Sequence, residues 1–302
     1  MSLTVDFAGI RFKNPIVMAS GTFGFGREYG ELYDISKLGG ICVKGLTLKP
    51  RLGNKPPRIA ETPMGMLNSV GLQNPGVDNF IKEELPFIRK HNIVTIANIS
   101  GNTVEEYAEM TEKLSEAKVD IIEVNVSCPN VKAGGIAFGT SPEAVAQVTK
   151  AVAEKATVPV MVKLSPNVTD IASIAKAAED SGANAVSLIN TLLGMRIDIT
   201  TRKPVLNNNV GGLSGPAVFP VALRMVWQVA SAVKIPIYGM GGVMTGNDAV
   251  EMLLAGAGLI GVGTACFDDP YAPIRIIDEI TSYMQVNNID TVNDLIGKVV
   301  LN

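Results

Sequence analysis

Eight short apolar runs, most of them followed by a stretch with helical spacing, recur along the 302-residue chain. They fall at residues 16–20, 41–44, 93–99, 119–126, 160–164, 184–190, 235–239 and 259–262. Runs of this length and composition read as buried strands. Strands alternating with helices, with no linker-like or low-complexity break, predict a (β/α)8 TIM barrel. One such barrel takes about 250 residues, so the expectation is a single domain over residues 1–302. An open doubly wound sheet competes with this reading, but its first turn should carry Gly-x-Gly-x-x-Gly into a helix. Gly21-x-x-Gly24-x-Gly26 does not have that spacing.

Further elements follow from local signals. Residues 5–17 read as a short N-terminal β-hairpin turning at Ala8-Gly9. Helical spacing covers 77–90, 169–181, 216–233, 248–255 and 271–285, and Gly263-Thr264 can start a short helix. Thr103-Val104-Glu105-Glu106 has a capping-box pattern, and Ser141-Pro142-Glu143 opens a helix with proline at its first position. Two long connections, 47–75 and 192–215, have no evident regular structure. In a compact fold such loops usually serve a function.

Composition narrows the function classes. Hydrophobic residues make up 47% and charged residues 18%, enough for a sizeable core and too apolar for disorder. The net charge of −3, without a Lys/Arg run, points to neither nucleic acid nor an anionic membrane surface. The N-terminus lacks a signal-peptide pattern, and the longest clearly apolar run, 252–267, is too short to span a bilayer. Three cysteines are too few for a disulfide frame or a Cys-rich metal site, and Cys42 and Cys266 read as buried structural thiols. The expected location is the cytoplasm.

In a barrel of this kind the active groups belong at the C-terminal strand ends. Read in order, those ends supply Ser20, Lys44, Asn98, Asn125, Lys163, Asn190-Thr191, Gly241-Gly242 and Gly263-Thr264. Any one of these is ordinarily a cap or a turn, but a polar group from almost every strand on one rim is not. The last two glycine-bearing ends read as a phosphate site, because glycine lets backbone N–H groups approach an anion. Lys44 and Lys163 each follow at least three apolar residues, so each should project from a core strand toward the rim. There a lysine can neutralise charge developing on a flavin or form a Schiff base. The fourth strand runs out into Asn125-Val126-Ser127-Cys128-Pro129-Asn130, where Asn125 offers a donor and an acceptor. Cys128 is the only side chain in that stretch able to move a proton near neutral pH. His91, the single histidine, sits between a helix and a strand and reads as solvated, so no Ser/His/Asp triad and no histidine metal site is expected. Asp198, Asp268 and Asp269 read as solvated loop residues, and Trp227 as packing on a helix face.

The combination of Asn125-Val-Ser-Cys128-Pro-Asn130 with Gly134-Gly135, Lys44-x-x-Thr47, Pro50-Arg51-x-Gly53-Asn54 and Asn68-Ser69-x-Gly71-Leu72-x-Asn74-Pro75-Gly76 resembles dihydroorotate dehydrogenase. The resemblance covers essentially the whole chain. Cysteine at 128 resembles class 1 enzymes, since class 2 enzymes carry serine there and an added N-terminal helical segment. Residues 71–76 and 131–135 look like the NAD-linked B subtype. By this resemblance FMN would be bound by Ser20, Lys44, Gly45, Asn98, Asn125, Lys163, Ile189, Gly215, Gly241, Gly242, Gly263 and Thr264. The substrate would be bound by Lys44, Asn68, Ser69, Val70, Gly71, Leu72, Asn125, Asn190 and Thr191. Cys128 would take the C5 proton of dihydroorotate while C6 delivers hydride to FMN, giving orotate for pyrimidine biosynthesis. The loop 131–140, with three glycines, could close over the substrate. The resemblance further implies a homodimer of catalytic chains joined to an electron-transfer subunit, a heterotetramer, with FAD and an iron–sulfur cluster on that separate subunit passing electrons to NAD. This chain has no cysteine cluster for such a centre and no dinucleotide fingerprint. A fumarate-linked class 1 enzyme or a related flavin pyrimidine dehydrogenase is the nearest alternative. A non-redox phosphate-binding aldolase or isomerase using Lys163 is a distant one.

Overall fold

We describe residues 1–126 and 139–302 of a computed structural model of the chain. Eight parallel strands close into a barrel: β1 (Ile16–Met18), β2 (Gly40–Cys42), β3 (Val94–Ile99), β4 (Ile121–Asn125), β5 (Val160–Lys163), β6 (Ala185–Leu188), β7 (Ile237–Met240) and β8 (Leu259–Val262). They are adjacent in chain order, and β8 pairs with β1 to complete the ring. Most of their residues are buried on both faces, as the apolar runs require. The N-terminal hairpin pairs Val5–Phe7 with Ile10–Phe12. Its two turn residues, Ala8 and Gly9, both have positive φ, which matches the twist of a two-residue hairpin.

Helices cover the outside, and their caps explain where they begin. Asp170 accepts from the backbone of Ala172 and Ser173 at the head of Ile171–Asp180. Ser141 accepts from Ala144 N–H ahead of Pro142. At Val104–Glu116 the expected capping box is half made. Thr103 accepts from Glu106 N–H, but the Glu106 carboxylate turns to Asn102, taking its backbone and side-chain N–H at 2.6 and 2.8 Å. A full capping box forms instead at Thr245 and Asp248. Val104–Glu116 buries Tyr107, Met110 and Leu114 on one face. Each such side chain stabilises the docked helix by roughly 1.5–3 kcal/mol. The Tyr107 hydroxyl also donates to the Asn125 carbonyl at 2.8 Å, tying the helix to the end of β4.

The two long connections differ from the irregular loops expected. Ile59–Thr62 and Gly65–Asn68 form a hairpin in the first, while Leu192–Gly194 and Gly211–Ser214 form strands in the second. Gly211–Ser214 pairs with Gly65–Asn68, so the two segments join as one four-stranded antiparallel sheet. Ala60, Leu67 and Leu206 give it a small core of its own. A further ribbon, Ile197–Asp198 with Lys203–Pro204, extends from the second connection. Trp227 also differs from expectation. Its helix buries Ala222, Met225, Val226 and Val229, whereas Trp227, one step round from Val226, is 38% exposed.

Candidate active site

The expected residues gather at the C-terminal ends of the barrel strands, where the four-stranded sheet also lies. Its strand Gly65–Asn68 carries Asn68, whose amide donates to the Gly212 carbonyl at 3.4 Å. Gly212 in turn stands against Thr191: a Cβ at that position would fall 2.0 Å from Thr191 Oγ1. Asn190 donates to Asn125 Oδ1 at 3.3 Å, and its own Oδ1 accepts from Thr191 N–H at 2.8 Å. Asn68, Asn125, Asn190 and Thr191 are therefore linked across two strand ends and the sheet.

The segment Ser69 to Leu72 is held from both sides. Asn54 donates its side-chain amide to the Ser69 carbonyl at 2.8 Å and its backbone N–H to the Val70 carbonyl at 2.9 Å. Gly71 lies over the Asn54 side chain, and Leu72 adopts a positive φ of 54°. Asn74 fixes this shape. It donates to the Leu72 carbonyl at 2.7 Å and to Thr47 Oγ1 at 2.8 Å, and accepts from Thr47 and Gly76 N–H groups. The Ser69 hydroxyl oxygen is buried without a hydrogen-bond partner among the described residues.

A second cluster is built from backbone. Ser20 donates to the Val43 carbonyl at 2.7 Å. Thr264 donates to Ser214 Oγ at 2.9 Å, beside Gly263 and Gly215. Gly242 has φ +77°, and a Cβ there would lie 2.8 Å from both the Gly215 carbonyl oxygen and the Phe219 backbone nitrogen, so only glycine fits. Gly241 packs against Ala222 and the buried Ile189 in the same way. Gly215, Gly241, Gly242, Gly263 and Thr264 thus cluster at the ends of β7 and β8.

Two lysines stand between these clusters. Lys163 is 5% exposed, with its Nζ 4.0 Å from Glu123 Oε2. Lys44 has no carboxylate within ion-pair distance among the described residues. Burial, then the nearby Arg58 and Lys163 cations, pull its pKa below the ordinary lysine range. Asn98 is fully buried; its amide nitrogen donates to Glu123, and its Oδ1 has no partner among the described residues. A Cβ on Gly45 would fall 2.8 Å from that oxygen, so glycine at 45 leaves the oxygen uncovered. Buried polar atoms without partners are rare, and each calls for a ligand or an account.

Cys128 and residues 127–138, including most of the expected loop 131–140, lie outside the described residues. Sequence reading left Glu123, Asn74, Arg58, Ser187 and Ser214 without roles. Glu123 had a visible signal: a carboxylate inside the apolar run Ile121-Ile122-Glu123-Val124, in phase with Asn125. Cys42 and Cys266 are buried thiols, as expected. Burial, with the Glu123 charge, pushes the Cys42 thiol far above its usual range.

The sequence matches the dihydroorotate dehydrogenase family over residues 2–284. It is 57% identical over 299 residues to the dihydroorotate dehydrogenase B (NAD(+)), catalytic subunit, of Alkaliphilus metalliredigens (strain QYMF), with 99% of each chain covered. The protein of the same name from Thermoanaerobacter sp. (strain X514) is 56% identical over 299 residues, again 99% of each chain. That of Geotalea uraniireducens (strain Rf4) is 54% identical, covering 99% of this chain and 98% of the other.

Proposed function

The chain belongs to the dihydroorotate dehydrogenase family, and from that premise we propose that it is the catalytic subunit of an NAD-linked dihydroorotate dehydrogenase, oxidising dihydroorotate to orotate in pyrimidine biosynthesis. The observation that carries the reading to this site is the pairing of a glycine cluster at the ends of β7 and β8 with buried, partnerless polar groups near Lys44 and Lys163. FMN fits those residues. Gly215, Gly241, Gly242, Gly263 and Thr264 would hold its phosphate, because a cradle without Cβ atoms lets backbone approach an anion. Ser20, Lys44, Gly45, Asn98, Asn125, Lys163 and Ile189 would hold its ring system, with Asn98 Oδ1 offering an unused acceptor. When bound, FMN supplies the hydride acceptor that no side chain can provide.

The chain's own residues do the rest. Asn68, Asn125 and Asn190 present amide edges, which match the paired donors and acceptors of a dihydropyrimidine without adding charge. Thr191 and the Ser69–Leu72 segment complete that pocket, and Ser69 Oγ is the free hydroxyl there. Lys44 holds the substrate carboxylate. Cys128 is the base that takes the C5 proton. A separate subunit carrying FAD and an iron–sulfur cluster would supply the route for electrons to NAD, in a cytoplasmic heterotetramer built on a dimer of catalytic chains. The word "subunit" in the relatives' names supports a partner chain.

The testing experiment is an absorption spectrum of the purified chain before and after dihydroorotate is added without oxygen. Flavin bands that bleach are the expected result. Bands that persist would remove this substrate, and a chain that takes up no FMN would overturn the reading.

The lowered pKa of Lys44 gives a pH signature. Its ammonium loses the proton at lower pH than a lysine in water, so the hold on a carboxylate weakens as pH rises through that value. Orotate affinity, followed by the flavin spectrum from neutral to alkaline pH, should fall about tenfold once Lys44 is neutral. In Lys44→Met the affinity starts low and this pH step disappears.

A further inference from the structure

Glu123 lies in the middle of β4, fully buried inside the barrel. A carboxylate in that position is costly unless its charge does something an apolar side chain could not. Its surroundings are specific. Cys42 Sγ on β2 donates to Oε2 at 3.0 Å, Asn98 Nδ2 on β3 donates to the same oxygen, and Ser187 Oγ on β6 donates to Oε1 at 2.6 Å. The Lys163 ammonium on β5 stands 4.0 Å from Oε2. Donors from both sides of β4 therefore converge on one anion. The thiol remains a donor, since burial keeps it protonated.

A carboxylate can only accept. Asn98 must therefore turn its amide N–H2 to Glu123, and its carbonyl oxygen is forced to the opposite side. That oxygen is the buried, partnerless Oδ1 at the Gly45 gap. Were residue 123 a donor, the same amide would turn over and present N–H2 there instead.

We propose that Glu123 is a positioning residue that sets the hydrogen-bond polarity of the cofactor site: it fixes Asn98 with its carbonyl toward a ring N–H of FMN and holds the Lys163 ammonium at the same wall. The inference rests on the proposed FMN site. It assigns the buried carboxylate a function through Asn98 rather than a role in packing.

The test uses Glu123→Gln, Asn98→Asp and the two combined, with the FMN dissociation constant of the full-length chain measured by quenching of flavin fluorescence. The glutamine amide in E123Q can keep its oxygen toward Cys42, Asn98 and the Lys163 cation by turning its N–H2 to the Ser187 hydroxyl, so this variant alone should leave Asn98 in place and bind FMN within a few-fold of wild type. N98D sets two carboxylates against each other and should weaken binding about tenfold or more. The combined variant moves the carboxylate from 123 to 98, lets the amide introduced at 123 donate to it, and again faces the cofactor with an acceptor. It should bind FMN at least several-fold more tightly than N98D. A packing role for Glu123 gives no such recovery. A combined variant that binds FMN no better than N98D, or that does not fold or bind, would overturn the proposal. Should E123Q fail to fold, the combined variant against N98D carries the test. If the wild-type chain itself binds no FMN, the cofactor reading falls first and this inference with it.

Discussion

Replacing Cys128 by alanine should lower the rate at which dihydroorotate bleaches the bound flavin by about 10²–10⁴-fold, the usual contribution of a positioned general base, while the protein stays yellow. The thiol is the one group in Asn125–Asn130 able to take a proton near neutral pH, and the other side chains there are amides, a hydroxyl and apolar groups. An unperturbed thiol has a pKa of about 8.5. The wild-type rate should therefore rise with pH through the thiol ionisation, since only the thiolate accepts the C5 proton. Cys128→Ser should keep a small rate at high pH only, because an alkoxide forms far less readily than a thiolate. Anaerobic stopped-flow traces of flavin absorbance measure all three proteins directly. Bleaching of C128A at the wild-type rate would take Cys128 out of the mechanism.

Lys163→Ala should have the largest effect on stability. It removes the cation nearest to the buried Glu123, whose remaining described partners, Cys42, Asn98 and Ser187, are neutral. Breaking a buried charge pair from one side costs about 3–5 kcal/mol. Urea unfolding of the FMN-free chain is the appropriate measurement, because a bound cofactor would add its own stabilisation. Adding Glu123→Gln to Lys163→Ala removes the orphaned charge and should restore a large part of the loss. The cofactor should still bind poorly, because the Lys163 cation is gone. Equal stability of K163A and wild type would mean that the Glu123–Lys163 pair contributes nothing to the fold.

The barrel was legible because its strands are apolar runs whose pattern is local. The eight runs fall on the eight barrel strands with boundaries shifted by at most two residues. The candidate residues at strand ends were legible for the same reason: Lys44, Asn98, Asn125 and Lys163 each lie at the end of an apolar run or one residue from it. The sheet made by the two long connections was not. Ile59-Ala60-Glu61-Thr62 and Gly65-Met66-Leu67-Asn68 are short and partly exposed, and their stabilising pairing comes from Gly211–Ser214. Nothing local in a Pro- and Gly-rich stretch announces a partner so distant in sequence. Glu123 was hidden in another way. Its residue type was visible, but its meaning depends on Cys42, Asn98, Lys163 and Ser187 meeting inside a closed barrel. Asn74 is similar, a motif residue whose four bonds to 47, 72 and 76 show that it shapes the loop rather than touching a ligand.

The pairing of Gly65–Asn68 with Gly211–Ser214, and of β8 with β1, also dictates a timetable at the ribosome. Chains emerge at about 5–20 residues per second, so the first hairpin of the sheet waits on the order of ten seconds for its neighbour. The ring stays open longer still, because its closing strand, Leu259–Val262, comes near the end. Gly263 and Thr264 follow directly after that strand. A nascent chain therefore lacks part of the proposed phosphate cradle until nearly all of it has been made, and on that proposal FMN loading is a step for the finished polypeptide. A truncation before residue 259 would leave an open-edged sheet exposed to other chains rather than a smaller version of the enzyme.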